Sequence, residues 1–421
     1  MIGWKAYKLN ELGKVNRGKS KHRPRNEPSL YGGKYPFIQT GEIKAANFCI
    51  SEYNQTYSEK GLAQSKLWKK GTLCITIAAN ISETAILNID ACFPDSIIGF
   101  VADKNKSDVK FIKYHFDLLK LHLQSISQGT TQDNLSQDKL LKFDFTVPID
   151  VTHQHHLASI LSAYDDLIEV NNQRIKLLEE TATQLYKEWF VRMRFPNYKK
   201  AKVVKGLPQD WEIKELQDFG KIFTGKTPPT KVREYYGGEI PFIKTPDLHK
   251  SLFVFDTEEN LAEKGNNTQK RSTLPKDSIC VSCIGTGGIV SITTAEKSQT
   301  NQQINSLVLS DIKHLEFLFH RIVDLKETIE LFGGTGATMT NLSKGKFEKL
   351  KVLFPKGELV EKYHYLVNPM FNQIKTLQQQ NTQLRQIRDR LLPRLISGKL
   401  KVKEQPSEYK INTPLSMAAE K

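Results

Sequence analysis

Apolar positions along the chain follow two alternating patterns. Through residues 1–150 they fall in short runs broken by Gly, Pro and Asn: PFIQT (36–40), LCITIAA (73–79), TAILNI (84–89) and FDFTVP (143–148). Runs of this length, bounded by turn residues, predict strands. VKFIKYHFDLLKLHLQSI (109–126) instead spaces its apolar residues by three and four, which predicts an amphipathic helix. After Pro148 the period becomes sevenfold. Leu161, Ile168, Ile175, Ala182 and Trp189 lie seven apart, with Tyr164, Asn171, Leu178 and Leu185 three residues further on. That is the apolar seam of a long coiled-coil helix.

The whole pattern then repeats. W-x4-L-x3-GKV-x2-GKS from Trp4 is answered by W-x4-L-x3-GKI-x2-GKT from Trp211, and YGGKYPFIQT (31–40) by YGGEIPFIKT (236–245). LCITIAA meets ICVSCIG (279–285), GTTQDNLS (129–136) meets GATMTNLS (336–343), and Pro148 meets Pro355, at offsets of 205 to 207. A second heptad seam follows, with Val367, Ile374, Asn381, Arg388 and Leu395 interleaved with Met370, Leu377, Leu384 and Leu391. The chain is therefore two homologous halves.

Each half predicts a mixed α/β domain and a helix roughly 55–60 Å long. Neither helix can bury its seam alone. Pairing with the other gives an antiparallel coiled coil with pseudo-twofold symmetry; packing on its own globular domain is the alternative. Asn171 and Asn381 place one polar residue in each seam, the kind that sets register. The expected class is α+β, with a first domain at 1–150, a long helix at 151–196, a second domain at 197–357, a long helix at 358–403 and a polar tail at 404–421.

The 61 Lys and Arg against 46 Asp and Glu leave a net charge of +15, which suits a polyanion partner. Lys14, Arg17, Lys19, Lys21, Arg23 and Arg25 form a cluster with no intervening acid; Lys199, Lys200, Lys202 and Lys205 form another. No run of eighteen apolar residues appears and the N-terminus lacks an apolar leader, so neither a membrane span nor secretion is expected. Five cysteines, an odd number, point to a reducing compartment, the cytoplasm by default.

Several motifs invite enzymatic readings. GKVNRGKS (13–20) and GKIFTGKT (220–227) match a phosphate-binding loop. Such a loop follows a buried strand and opens a helix, whereas prolines follow here at 24, 28, 228 and 229. Flexible basic loops touching phosphate are the better expectation. FGGTG (332–336) resembles a methyltransferase cofactor loop, but SISQG (125–129) keeps only the last glycine, and no Asn/Asp-Pro-Pro-Tyr/Phe motif occurs. Asp95 after Pro94, with Asp108-x-Lys110, is a loose match to metal nucleases. His153, His155 and His156 have no second ligand cluster nearby and predict a solvated helix start. Cys280 and Cys283 lie three apart in a probable strand and should be buried on opposite faces. Two basic segments, two aromatic–glycine segments (Tyr31 and Phe37; Tyr235, Tyr236 and Phe242) and two Gly-Thr loops remain. They suit a bipartite reader of a polymer.

The tandem layout, TQLYKEWFVRMRFP (183–196), GKTPPTKVREYYGGEIPFIKTPDL (225–248) and RDRLLPRLISGKL (388–400) together resemble the specificity subunits of type I restriction–modification systems, over about residues 4–403. The resemblance implies two target recognition domains, each reading one part of a split double-stranded DNA sequence. The helices would set the unread spacer and dock modification subunits, two of them. It implies no catalysis, cofactor or metal in this chain. S-adenosylmethionine for adenine methylation, and ATP and Mg²⁺ for a restriction and translocation subunit, belong to the partners. Residues expected at phosphates are Arg17, Lys19, Lys21, Arg23 and Arg25 in the first half and Lys226, Lys231 and Arg233 in the second. Thr130, Gln132, Asn134, Thr338 and Asn341 are expected at polar contacts. Leu161, Ile168, Ile175, Leu178 and Leu185 should pair with Ile374, Leu377, Leu384 and Leu391, leaving Trp189 and Phe190 for a partner subunit. Three alternatives remain: a two-subunit system whose partner both cuts and methylates, a self-contained methyltransferase or nuclease, and a polyanion-binding scaffold.

Overall fold

The computed structural model describes residues 3–46, 48–77, 83–126, 137–204, 206–333, 340–355 and 357–402. The chain divides into two compact units, Met1–Glu169 with Gln383–Lys421, and Val170–Thr382. Both divisions fall inside long helices, Val151–Tyr186 and Leu359–Ile396. Each unit thus contains one globular half and a segment of both helices. The polar tail expected at 404–421 lies outside the described residues.

In the first unit a five-stranded sheet runs Gly13–Arg17, Ile97–Ala102, Leu73–Thr76, Thr84–Leu87, Cys49–Ile50. Neighbours are antiparallel except the last pair. Leu73–Thr76 and Thr84–Leu87 are buried throughout, as their unbroken apolar runs require. Gly13–Arg17 corrects the sequence reading, which placed it in a flexible loop. It is an edge strand, in register with Ile97–Ala102 from Gly13 opposite Ala102 to Arg17 opposite Ile98. An edge strand with one open face needs few apolar side chains, and its charges discourage pairing with another chain. A second sheet orders Gln55–Tyr57, Tyr31–Phe37, Ala91–Cys92 and Leu67–Trp68. The strand expected at PFIQT thus starts earlier and stops at Phe37. Thr40–Ala45 turns into a helix instead, where the Gln39 amide donates to Glu42 Oε2 at 3.0 Å. Trp4–Lys8 pairs with Asp144–Pro148, closing the half on itself, and Val109–Ile126 is helical as predicted.

The second unit repeats this topology. Gly220–Thr224, Ile304–Leu309, Ile279–Ser282, Val290–Thr293 and Phe253–Val254 form the five-stranded sheet, and Trp211–Glu215 pairs with Lys351–Pro355. The repeated W-x4-L motif has one local cause in both halves. The strand after each Trp ends in a short helical turn whose N-terminal backbone donates to an acid three residues on, Lys8 N to Glu11 Oε2 at 2.6 Å and Glu215 N to Asp218 Oδ2 at 2.8 Å. Leu9 and Leu216 then point into their cores.

The helix segments are parts of these cores as well as partners of each other. In the first unit Leu157, Ala158 and Leu161 share a cluster with Leu392, Leu395 and Ile396 and with Phe111 and Phe145 of the globular half. In the second, Ala182, Tyr186 and Phe190 join Val360, Tyr363, Val367, Phe371 and Ile374. The two packing alternatives left open by the sequence therefore occur together. Within the second unit the helices run antiparallel, since Asn171 bonds to Asn381 while Ala182 O accepts from the Tyr363 hydroxyl. Of the predicted seam residues, Leu161, Ile168, Ile374 and Leu377 are buried, and Ile175, Leu178, Leu185, Leu384 and Leu391 are half-buried. Phe190 corrects its assignment to a partner surface. It sits in the core, 4.8 Å from the Phe317 ring and 5.0 Å from Tyr363, and half-buried Trp189 leans on Tyr363 at 5.9 Å.

Two polar layers interrupt the seams. Asn381 accepts from Asn171 and donates to Asn172, both at 2.9 Å. In the first unit buried Asp165 accepts from the Arg388 guanidinium and the Tyr114 hydroxyl. Burial works against the Arg388 charge, but Asp165 overcomes it and raises its pKa.

Candidate nucleic-acid interface

In the first unit the chain leaves its edge strand through Gly18, whose amide donates to Ile97 O at 2.8 Å. A Cβ at Gly18 would lie 2.3 Å from Pro94 O and 2.4 Å from Phe93 O, so only glycine allows this approach to the 93–96 turn. Lys19 N follows, donating to Phe93 O at 3.1 Å. Arg25 Nη2 then donates to both Asp95 oxygens, at 2.9 and 3.1 Å. The Tyr31 hydroxyl donates to Arg25 O, and Arg23 donates to Ser20 O and His22 O. Arg23 and Arg25 thus hold the loop in shape. Lys14, Arg17, Lys19 and Lys21 are exposed, and none forms an ion pair among the described residues. Elsewhere lysines are paired, as in Lys69–Asp90 and Lys264–Glu234.

Sequence reasoning missed Lys66. Its Nζ sits 3.7 Å from the centre of the Trp68 ring. Burial, and then repulsion from Lys19 and Lys14, lower its pKa. An anion brought to this patch would relieve that repulsion.

The second unit builds the same approach with other chemistry. A Cβ at Gly225 would lie 2.1 Å from Thr300 O and 2.4 Å from Asn301 O. Thr227 Oγ1 donates to Gln302 Oε1 at 2.6 Å, and Thr245 Oγ1 and Asn301 Nδ2 both donate to Gln303 Oε1 at 3.1 Å. Cys283 N donates to Gln303 O, and Leu342 N to Cys283 O, so exposed Asn341 is tied by backbone to the same neighbourhood. Lys226, Lys231 and Arg233 are exposed without an ion pair among the described residues. Where the first half has Pro94-Asp95-Ser96, the second has Asn301-Gln302-Gln303. The sequence reading passed over this amide run. Its position between two short strands was the available signal. Thr130, Gln132, Asn134 and Thr338 lie outside the described residues.

The residues that suggested enzymes have structural partners. GKT follows a strand that ends at Thr224 and opens no α-helix: Pro228 O accepts from the Tyr236 hydroxyl at 2.6 Å. Asp95 holds Arg25, while Asp108 caps its helix at Phe111 N and contacts His155 Nδ1 at 3.1 Å. Cys280 and Cys283 lie in different apolar clusters, and burial pushes their thiols up to about 12 and about 11. Among the described residues, no helix is long and apolar enough to cross a membrane.

Residues 1–180 and 208–386 each match the type I restriction modification DNA specificity domain. The chain is 27% identical to the Type I restriction enzyme HindI specificity subunit of Haemophilus influenzae, covering 95% of this chain and 100% of that protein. It is 26% identical to the MjaIX specificity subunit of Methanocaldococcus jannaschii, covering 95% and 94%. The crystal structure of a type I restriction–modification S subunit from M. genitalium shares the fold, with a TM-score of 0.59 at 17% identity over 94% of this chain and 96% of that one. With both halves matched by the family domain, the chain belongs to the type I restriction–modification specificity subunits.

Proposed function

We propose that each globular half reads one part of a bipartite, gapped double-stranded DNA site. The two long helices set the unread spacer and dock two modification subunits. The carrying observation is the duplicated glycine approach. In both halves an edge strand delivers exposed basic residues, without an ion pair among the described residues, onto a turn, and the turns differ in chemistry, Pro-Asp-Ser against Asn-Gln-Gln. A shared frame with divergent turns suits recognition of two different half-sites. Exposed Leu177 and Val170 on the first long helix, and Tyr365 and Leu366 on the second, offer apolar contacts to the modification subunits. Those partners carry S-adenosylmethionine-dependent adenine methylation, and a restriction subunit carries ATP- and Mg²⁺-dependent translocation and cleavage, all in the cytoplasm.

The test is to map methylated adenines across the genome with and without this gene while the modification gene stays intact. A split, gapped motif should disappear with the gene. An unchanged methylation pattern would overturn the reading.

A further inference from the structure

Resting on that function, the geometry points to Gln302 as the residue that reads an adenine in the half-site of the second unit, with Thr227 as its positioning residue. The Asn301–Gln303 turn joins Gln299–Thr300 to Ile304–Leu309, the strand beside Gly220–Thr224. Its three amides are not equivalent. Asn301 is almost fully buried and bonds within the turn: its Oδ1 accepts from Gln303 N at 3.1 Å and its Nδ2 donates to Gln303 Oε1. Gln303 is half-buried, and its Oε1 already accepts twice, from Thr245 and Asn301. Both lone pairs are then used. Gln302 is exposed, and among the described residues its side chain bonds only to Thr227.

That bond orients the Gln302 amide plane yet consumes only one Oε1 lone pair. The other lone pair and the Nε2 hydrogens of this exposed side chain are left as an adjacent acceptor and donor without a partner among the described residues. Adenine presents the complementary pair in the major groove, the N6 amino donor beside the N7 acceptor. Guanine offers two acceptors there and leaves the amide oxygen facing an acceptor. The glycine approach also sets exposed Lys226 beside Thr227, where it would meet phosphate while Gln302 meets the base edge. The first unit has no such amide, since Asp95 holds Arg25 in the equivalent turn.

The experiment uses the full chain assembled with its modification subunit. The complex is selected on a duplex library of random sequence, and the bound fraction is sequenced. Wild type should return a gapped motif; if it returns none, the functional reading fails before the assignment is reached. Given a motif, Gln302→Ala should lower the preference for adenine at one position of one half-site by about five- to 150-fold and leave the other half-site unchanged. Thr227→Val removes the hydroxyl while keeping shape, and should relax the same position alone. Lys226→Ala should weaken binding to all sequences equally. Gln302→Ala leaving every position of the motif intact, or relaxing a position that is not adenine, overturns the assignment. Exposed Gln302 carries no core packing, and wild-type melting temperature in the variant confirms that the loss is not misfolding.

Discussion

Removing the Asp165 carboxylate should destabilise the first unit well beyond what its small size suggests. Asp165 is 4% exposed and Tyr114 is 1% exposed. In Asp165→Ala the Tyr114 hydroxyl is left buried without its acceptor, a loss of about 1–3 kcal/mol. The Arg388 guanidinium loses its buried partner, and breaking such a pair costs about 3–5 kcal/mol. Arg388 keeps a second partner, Asp389, and its side chain is 22% exposed, so the lower end applies. A total near 4 kcal/mol, the sum of the two lower ends, corresponds to a fall of about 8–16 °C in melting temperature for a unit of this size. The contrast sharpens the test. Asp389→Ala, at an exposed site, should stay within about 0.5 kcal/mol. Asp165→Leu combined with Arg388→Leu should recover the ion-pair part of the loss, because an apolar layer needs no charge partner, and leave the cost of the unpaired Tyr114 hydroxyl. Scanning calorimetry of the full chain gives the transition, and amide exchange on the first long helix up to Glu169 places the effect. If Asp165→Ala shifts melting no further than Asp389→Ala, the polar layer does not hold the helices in the first unit.

His320 predicts acid sensitivity in the second unit. Burial lowers its pKa from 6.5 to about 4, so the unfolded chain binds its proton first as pH falls. Its contribution of about 3 kcal/mol is fully present above pH 6.5 and is lost as pH drops toward 4; His320→Phe should flatten that limb in urea titrations at stepped pH. Gly225→Ala should lower the melting temperature, because its Cβ would meet the backbone of Thr300 at 2.1 Å, whereas Lys226→Ala should not. Equal, small effects of the two would return the motif to a ligand-binding role. Lys19→Ala and Lys66→Ala should each reduce the slope of log affinity against log salt by about 0.9, measured by fluorescence anisotropy on a duplex. An unchanged slope in both removes the phosphate face from the first unit.

Much of this architecture was legible in the chain. The strand runs at Leu73–Thr76 and Thr84–Leu87, the helix Val109–Ile126 and the heptad positions Leu161, Ile168 and Ile374 are set by local periodicity, which survives in any packing. The duplication was equally plain, because repeated residues at a constant offset require no structure to see. GKVNR shows no strand signal in the sequence because none of its five residues is fully buried, so no apolar face imposes an alternation.

Other features depended on distant parts of the chain meeting. That Phe190 is core follows from the Phe317 and Tyr363 rings, which lie 127 and 173 residues away. Arg388 at an apolar seam position makes sense only once Asp165 and Tyr114 face it. The same holds for the motif pair GKS and GKT. Their glycines are spelled out locally, but the carbonyls of Phe93, Pro94, Thr300 and Asn301 that forbid any side chain there come from residues 75 or 76 positions further along the chain. Periodicity and repetition, being properties of neighbours along the chain, were determined by the sequence alone. Which polar group meets which, and hence which residues remain free to touch DNA, was decided by tertiary packing.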